Sequence, residues 1–507
     1  MARERQLLLG LDVGTTATKA AIFDLQGAIV AVATRPYTLL TPRPGWVEQD
    51  PDELWQAVVG TIRELVSRQA PGDRVIALSL ASQGGTTILG DGAGTPLHPA
   101  ISWMDERGSR QARGIRQTLG EEFVRRTTGW PLGDTLPLQH LGWLRDERPT
   151  VLERAERVLF VNDFILQRLA GHAIMNPSDA TMTQLFNIAA GDWDAYLLEE
   201  IDLLRGKLSR VEPSGHALGT LTPEASRLTG LPPDTLVVNG AHDQYCAAVG
   251  TGVTRPGTVL LSSGTAWVIL AVPETLEAGL ASGMAISCHA IPGRWGAIRS
   301  LGGVGASLEW LLRTLEPATR DPGTRAGEER SADYVALNAA AGRSEAGARG
   351  LLFYPLVGGH SRIGAGRGAF LHLTLEHTYG DMARAIMEGT CFELRWALDE
   401  ITAGGVPVNS LTLVGGAAAS PLWPQIIADS TGLSLSLPTD RQAAARGAAI
   451  IAGVGAGLFP DMESGFELFR EHETHLVPAN TAHYEEAFAR YRRYYERVYA
   501  PEGDHSL

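Results

Sequence analysis

Residues 9–24, LGLDVGTTATKAAIFD, decide how the chain is read. Residues 7–12 are an apolar run that ends on an acid, Asp12. Gly14-Thr15-Thr16 is a turn signal, and residues 18–23 resume an apolar strand pattern. Two such runs around a short glycine turn predict a β-hairpin. Asp24-Leu25-Gln26-Gly27 turns the chain again, so residues 28–33 are expected as a third strand. The first turn gathers an acid at a strand end (Asp12), a permissive Gly14, the hydroxyls of Thr15 and Thr16, and the cation of Lys19. Backbone N–H groups and hydroxyls in a tight turn cradle phosphate. A neighbouring carboxylate can hold Mg2+, which takes one or two carboxylates beside phosphate oxygens and water. A plain polar hairpin is the competing reading of the same residues.

Working outward, residues 52–68 have helical spacing and residues 75–81 read as a buried strand. Residues 153–170 contain a helix, and residues 235–238 lead a strand into Gly240-Ala241-His242-Asp243. Thr254-Arg255-Pro256-Gly257 is a breaker. Residues 258–262, the turn Ser263-Gly264-Thr265 and residues 266–272 then repeat the order of strand, Gly-Thr turn, strand, about half a chain after the first. This reads as an internal repeat: two related α/β halves, residues 1–253 and 254–507. Residues 317–331 are expected as a surface loop and residues 380–401 as a long amphipathic helix. Residues 411–414 form a buried strand running into Gly415-Gly416-Ala417, and residues 483–499 a C-terminal helix.

Several familiar nucleotide motifs are absent. The pair Gly206-Lys207 is followed by Leu208, so there is no Walker A motif, and no G-x-G-x-x-G follows the early strand. Instead, glycine turns recur: Ser262-Ser263-Gly264-Thr265 as a second cradle, Gly302-Gly303-Val304-Gly305 ahead of a helix at 306–315, and Gly415-Gly416-Ala417 with Ser420. In this order they argue for a nucleotide cleft between two domains. Asp243 follows an apolar strand and precedes small residues. A carboxylate so placed can accept a hydroxyl proton while ATP gives up its γ-phosphoryl group. The alternative is an Asp that caps the following helix.

The 507 residues exceed what one core usually serves. A net charge of −14 without a basic run excludes a nucleic-acid partner, which requires clustered cations. Cys246, Cys288 and Cys391 form no C-x-x-C pair, which excludes a disulfide scaffold and a cysteine zinc site. No apolar run is long enough for a membrane span, and the N-terminus lacks the features of a signal peptide, so a cytoplasmic protein is expected. Of the basic residues only Lys19 and Lys207 are lysines.

LGLDVGTTATKAAIFD, then PGWVEQDP, SWMDER, GAHDQ, LSSGTAW, GAFLHLTLEHTYGDMARAIMEG and LVGGAAAS together resemble the FGGY carbohydrate kinases, in order and spacing over roughly residues 7–460. The resemblance implies two RNase H-like domains of the actin, Hsp70 and hexokinase type, with mixed sheets flanked by helices and a deep interdomain cleft. It implies Mg2+ and ATP as cofactors and transfer of phosphate to a sugar or polyol, with a homodimer left open. D-xylulose is the first expectation. L-fuculose- or L-rhamnulose-like ketoses, ribulose, erythritol and glycerol are alternatives, as is a non-kinase ATPase of the same superfamily. Carried over, Asp12 and Asp243 match metal-linked acids, and Asp243 also matches the catalytic base. Gly14, Thr15, Thr16 and Lys19 match the first phosphate turn, and Gly264 and Thr265 the second. Gly305, Glu309, Gly415, Gly416, Ala417 and Ser420 match nucleotide-side positions. Gln83, Gly84, Gly85, Trp103, His242 and Gln244 join Asp243 as substrate-side positions. The family's xylulokinases read Gln-Met-His-Gly where this chain has Gln83-Gly84-Gly85-Thr86. The two glycines are therefore expected to leave volume and expose backbone donors. His140 stands where a lysine is expected, and His372 where a glycine is expected.

Overall fold

The computed structural model describes residues 5–264, 266–314, 327–356, 367–470 and 473–499. The chain forms two compact units. The first comprises Met1–Thr254, Val272–Ala297 and Gln442–Glu471; the second comprises Arg255–Ala271, Ile298–Arg441 and His472–Leu507.

In the first unit, β1 (Arg5–Val13), β2 (Ala17–Asp24) and β3 (Ile29–Pro36) follow the hairpin-plus-strand reading. Helix α1 (Pro51–Ser67) leads to β4 (Asp73–Ser82); β5 (Ala217–Thr220) and β6 (Leu236–His242) follow. The six-stranded sheet runs β5-β6-β4-β1-β2-β3. β1, β4 and β6 are parallel neighbours, with Asp12 paired to Ala81, and His242 to Ser82. Strand periodicity explains the core. Leu7, Leu9 and Leu11 point to one face, where Leu54, Val58 and Ile62 of α1 meet them at helical spacing. Each buried leucine contributes roughly 1.5–3 kcal/mol.

Gly10, on the other face of β1, explains why a late segment joins this unit. A Cβ there would lie 1.8 Å from the Ala445 carbonyl oxygen of helix α3 (Ala443–Gly455). Gly447 of α3 meets the Cys246 carbonyl of helix α2 (Asp243–Gly250) equally closely. These backbone-to-backbone contacts require glycine. The division at 253 and 254 read from the sequence therefore differs from the observed units in two segments, Val272–Ala297 and Gln442–Glu471.

In the second unit, β7 (Gly257–Ser263) and β8 (Trp267–Ala271) form the second hairpin. β7 pairs in parallel with β9 (Val408–Gly415), β9 in parallel with β10 (Ser434–Pro438), and β10 antiparallel with β11 (Glu473–Leu476). The hairpin whose first strand has a parallel neighbour thus occurs in both units. Helix α4 (Ala306–Thr314), α5 (Gly327–Arg343), α6 (Tyr379–Ala403) and the C-terminal α7 (Thr481–Val498) complete the elements used below. The loop expected at 317–331 overlaps α5 from Gly327 onward; its earlier part lies outside the described residues. No described helix is long and apolar enough to cross a membrane.

Candidate active site

The carboxyl ends of three neighbouring parallel strands bring Asp12, Gln83 and Asp243 to one edge of the first sheet. Open α/β sheets characteristically bind ligands at that edge. The turn between β1 and β2 is held from several sides. Gly14 N–H donates to the Ala17 carbonyl at 3.1 Å, and the Tyr37 hydroxyl donates to the Gly14 carbonyl. Gln49 Nε2 donates to the Thr15 carbonyl at 2.7 Å, and Gln83 Nε2 donates to Gln49 Oε1 at 3.0 Å. The Trp103 indole donates to Thr15 Oγ1 at 3.0 Å. The threonine hydroxyl accepts in that bond, so its own proton remains available.

Asp243 opens α2, whose N-cap is His242 and which has no side-chain cap hydrogen bond. Its carboxylate is therefore not spent on capping. His242 Nε2 lies 3.4 Å from Asp243 Oδ1. Burial holds the imidazole below its usual pKa, opposed by Asp243. Burial pushes Asp12 up to about 7, with Asp243 adding to the rise and Lys19 opposing it. Asp179 is pushed up to about 8, again chiefly by burial, opposed by hydrogen bonds from Asn176 and Ser82 and reinforced by Asp243. Asp179 was not singled out in the sequence. It accepts from Ser82 Oγ at 2.9 Å, and neighbouring Ser178 accepts from the His242 N–H. Only the polar cluster around Asn176-Pro177-Ser178-Asp179 could have hinted at it.

The expected volume at the glycine pair is absent, which corrects the sequence reading. A Cβ on Gly84 would lie 2.7 Å from His242 Cδ2 and 2.8 Å from Met182 Cγ. At Gly85, which has φ +75, a Cβ would meet Trp103 and Leu136. Four side chains already fill that space. Gln83 Oε1, His242 Nδ1, Asp179 Oδ1 and Gln244 Oε1 are buried without a hydrogen-bond partner. His140 is not a pocket-wall residue: it is fully buried, and its Nε2 lies 3.1 Å from the Asp105 carbonyl. Asp105 in turn pairs with Arg107, as does Glu48.

A divalent cation fits the pair Asp12 and Asp243. Their mutual electrostatic cost is what such a charge relieves, and Mg2+ needs no more than one or two carboxylates beside phosphate and water. Among the described residues no cluster of three or more metal-ligating side chains exists, so the pair could not act as an all-protein cage.

In the second unit a cavity of about 930 Å³ is lined by Gly264, Gly305, Glu309, Gly416, Ala417 and Ser420, all singled out in the sequence. Gly416 N–H donates to the Ser263 carbonyl at 2.8 Å, and Ala417 N–H to Ser263 Oγ at 3.0 Å. Gly415, at φ +94, would place a Cβ 2.7 Å from the Ser263 carbonyl oxygen. Ser420 Oγ donates to Asn338 Oδ1 and accepts the Trp423 N–H. The Tyr334 hydroxyl donates to Glu309 at 2.7 Å. Ser263, part of the second cradle read from the sequence, lines this cavity, as do Tyr334 and Asn338, which were not singled out; only the fold brings α5 there. Thr265 lies outside the described residues.

Two family models cover most of the chain. The N-terminal domain of the FGGY family of carbohydrate kinases matches residues 7–250, and the C-terminal domain of that family matches residues 259–456. The chain belongs to the FGGY family of carbohydrate kinases. It is 30% identical over 501 residues to a xylulose kinase of Staphylococcus epidermidis, covering 98% of this chain and 97% of that one. It is 29% identical over 460 residues to a gluconokinase of Bacillus subtilis, covering 89% and 88%. Among solved structures, the xylulose kinase of Rhodospirillum rubrum superposes with a TM-score of 0.86 at 27% identity, covering 97% of this chain and 99% of that one. This FGGY protein is thus an ATP-dependent carbohydrate kinase with the two-unit α/β fold of its family.

Proposed function

We propose that this kinase phosphorylates an uncharged ketose, D-xylulose before other candidates, to give D-xylulose 5-phosphate, with Asp243 as the base. The observation that carries this reading is the polarity of the wall around Asp243. With the His242 Nε2–H turned toward Asp243, the unpartnered Nδ1 is an acceptor, as are the side-chain oxygens of Gln83 and Gln244. Substrate hydroxyls are the matching donors. Of the charged groups acting on Asp12, Asp179 and His242, only Lys19 is a cation. A substrate carboxylate would meet the same electrostatic cost that raises Asp12 and Asp179. That favours a ketose over gluconate, although both kinds of relative match comparably.

In this reading residues 1–253 carry the sugar site and first phosphate turn, and residues 254–507 the second phosphate and adenosine motifs. Asp243 takes the proton of the attacking hydroxyl. Thr15 donates its remaining proton to a phosphate oxygen, aided by the turn amides and by Lys19. Asp12 and Asp243 would hold Mg2+, which supplies charge neutralisation at the phosphates when bound. Gly264, Gly416, Ser420 and Glu309 line the nucleotide side. The testing assay follows ADP release with D-xylulose, L-fuculose, ribulose, erythritol, glycerol and gluconate. D-xylulose is expected to give the highest kcat/KM and gluconate at least about tenfold less. Gluconate as the best substrate would refute the reading.

A further inference from the structure

The second unit holds another cavity, of about 440 Å³, among residues that the kinase reading does not use. It is lined by Arg349 of the turn Ala348–Gly350, by His372, Glu376 and His377 just after the β-strand Ala369–Leu371, and by Arg490 and Tyr494 of α7. His377 Nδ1 accepts the Thr374 N–H at 2.9 Å, so its Nε2 is the protonated ring nitrogen. That Nε2–H is buried and has no partner. Arg490 Nε is likewise buried without a partner. Two unmatched donors thus belong to one cavity, each costing free energy until an acceptor meets it.

The electrostatics point the same way. Glu376 is the only carboxylate among the described residues of the lining, and Arg349 takes it at 3.3 Å. Arg493 and Arg497 of α7 lie 5.7 and 5.8 Å from the Tyr494 ring. This concentration of cations occurs in a chain of net charge −14, so it is local and not compositional. Arg349 (φ +54) and His372 (φ +66) adopt the left-handed region, which costs a side chain other than glycine. Two residues of the cavity lining are therefore held in place against backbone preference.

We propose that this cavity is an oxyanion site, taking inorganic phosphate or a small phosphate monoester through Arg490, His377 and Arg349. A planar guanidinium and an imidazole N–H suit phosphate oxygens, and such charge-assisted bonds are the strong ones. The site is separate from the residues assigned to sugar or nucleotide.

The test is calorimetric titration of the full-length chain, saturated with Mg2+ and a non-hydrolysable ATP analogue so that the nucleotide cavity is filled. Inorganic phosphate is titrated in one arm and glycerol 3-phosphate in the other. Saturable binding of one molecule per chain is expected. Binding in the first arm alone identifies the free ion, and binding in both identifies the monoester class. Arg490→Met combined with His377→Ala is expected to weaken that binding at least about tenfold while melting temperature and basal turnover stay unchanged. Should that double variant melt early, Arg349→Gln alone serves, with a loss of about threefold or more expected. Absence of saturable binding, or affinity unchanged in a folded variant, overturns the site.

Discussion

The two Gly-Thr turns occupy matching places in the two units, each at the end of a strand with a parallel neighbour, yet they are built differently. The first is tied down by side chains from distant elements: Tyr37, Gln49 and Trp103. It is surrounded by titratable groups, with Asp12 and Asp179 far from their usual pKa. The second is tied through backbone, the Gly416 and Ala417 N–H groups to Ser263 and Ser263 Oγ to the Val414 carbonyl. One turn thus sits among ionisable side chains, while the other is fixed by backbone groups and one serine hydroxyl. Perturbed carboxylates mark places where protons move, and neutral amides mark places where a ligand is merely held.

The largest effect is expected where that contrast is strongest. Asp243→Asn should lower kcat by about 10³-fold, within the range for a general base, and leave the ATP-analogue dissociation constant, measured without Mg2+, within about twofold. Calorimetry and initial rates check both halves. Turnover within tenfold of wild type would remove Asp243 from the reaction. On the other side, Gly415→Ala forces a Cβ to within 2.7 Å of the Ser263 carbonyl at φ +94. Apparent KM for ATP should rise about tenfold, with kcat at saturation changed only a few-fold, because the turn binds and does not react. An equal loss in kcat and kcat/KM would mean that the second turn, too, acts in the transition state.

A smaller effect is expected at the sugar side. Gly84→Ala would press on His242 and Met182 and should raise the sugar KM several-fold without moving the KM for ATP. Adding His242→Ala should recover part of the loss, because the two positions share one space. Additive losses in the double variant would show that His242 does not fill the space opposite Gly84.

Much of this contrast was legible in the chain. Continuous apolar runs bracketed both turns, and Asp12 and Asp243 stood at strand ends, so hairpins and acids could be found by local pattern. What failed was whatever depends on contact between distant residues. Nothing local marks Gly447 as the glycine that admits the Cys246 carbonyl, so the return of Gln442–Glu471 to the first unit was invisible. Gly84 and Gly85 read as open volume because the side chains that fill it, those of Met182 and His242 among them, come from far along the sequence. Asp179 needed the fold to bury it beside Asp243 before its carboxyl became distinctive. His372 is the converse case: its position was noted as a departure from glycine, and its φ of +66 supplies the physical reason glycine suits it.

The smallest expected effect concerns stability and not turnover. Burial, with Asp243 in support, raises Asp12 from 3.8 to about 7. Between about pH 4 and pH 7 the folded chain therefore keeps a proton that the unfolded chain has released. Stability from this group falls as pH rises through that window and levels off above it. Asp12→Asn removes the effect while Asp163 and Asp179, raised by burial in the same direction, remain in both proteins. The melting temperature of the variant minus that of wild type, without added metal, should be near zero at pH 4 and should grow to a few degrees by pH 8. Adding Mg2+ at pH 8 should shrink the difference, because only wild type retains the full carboxylate pair to bind it. A difference that is flat across pH would mean that Asp12 is ionised at no cost, and the first turn would then be as electrically quiet as the second.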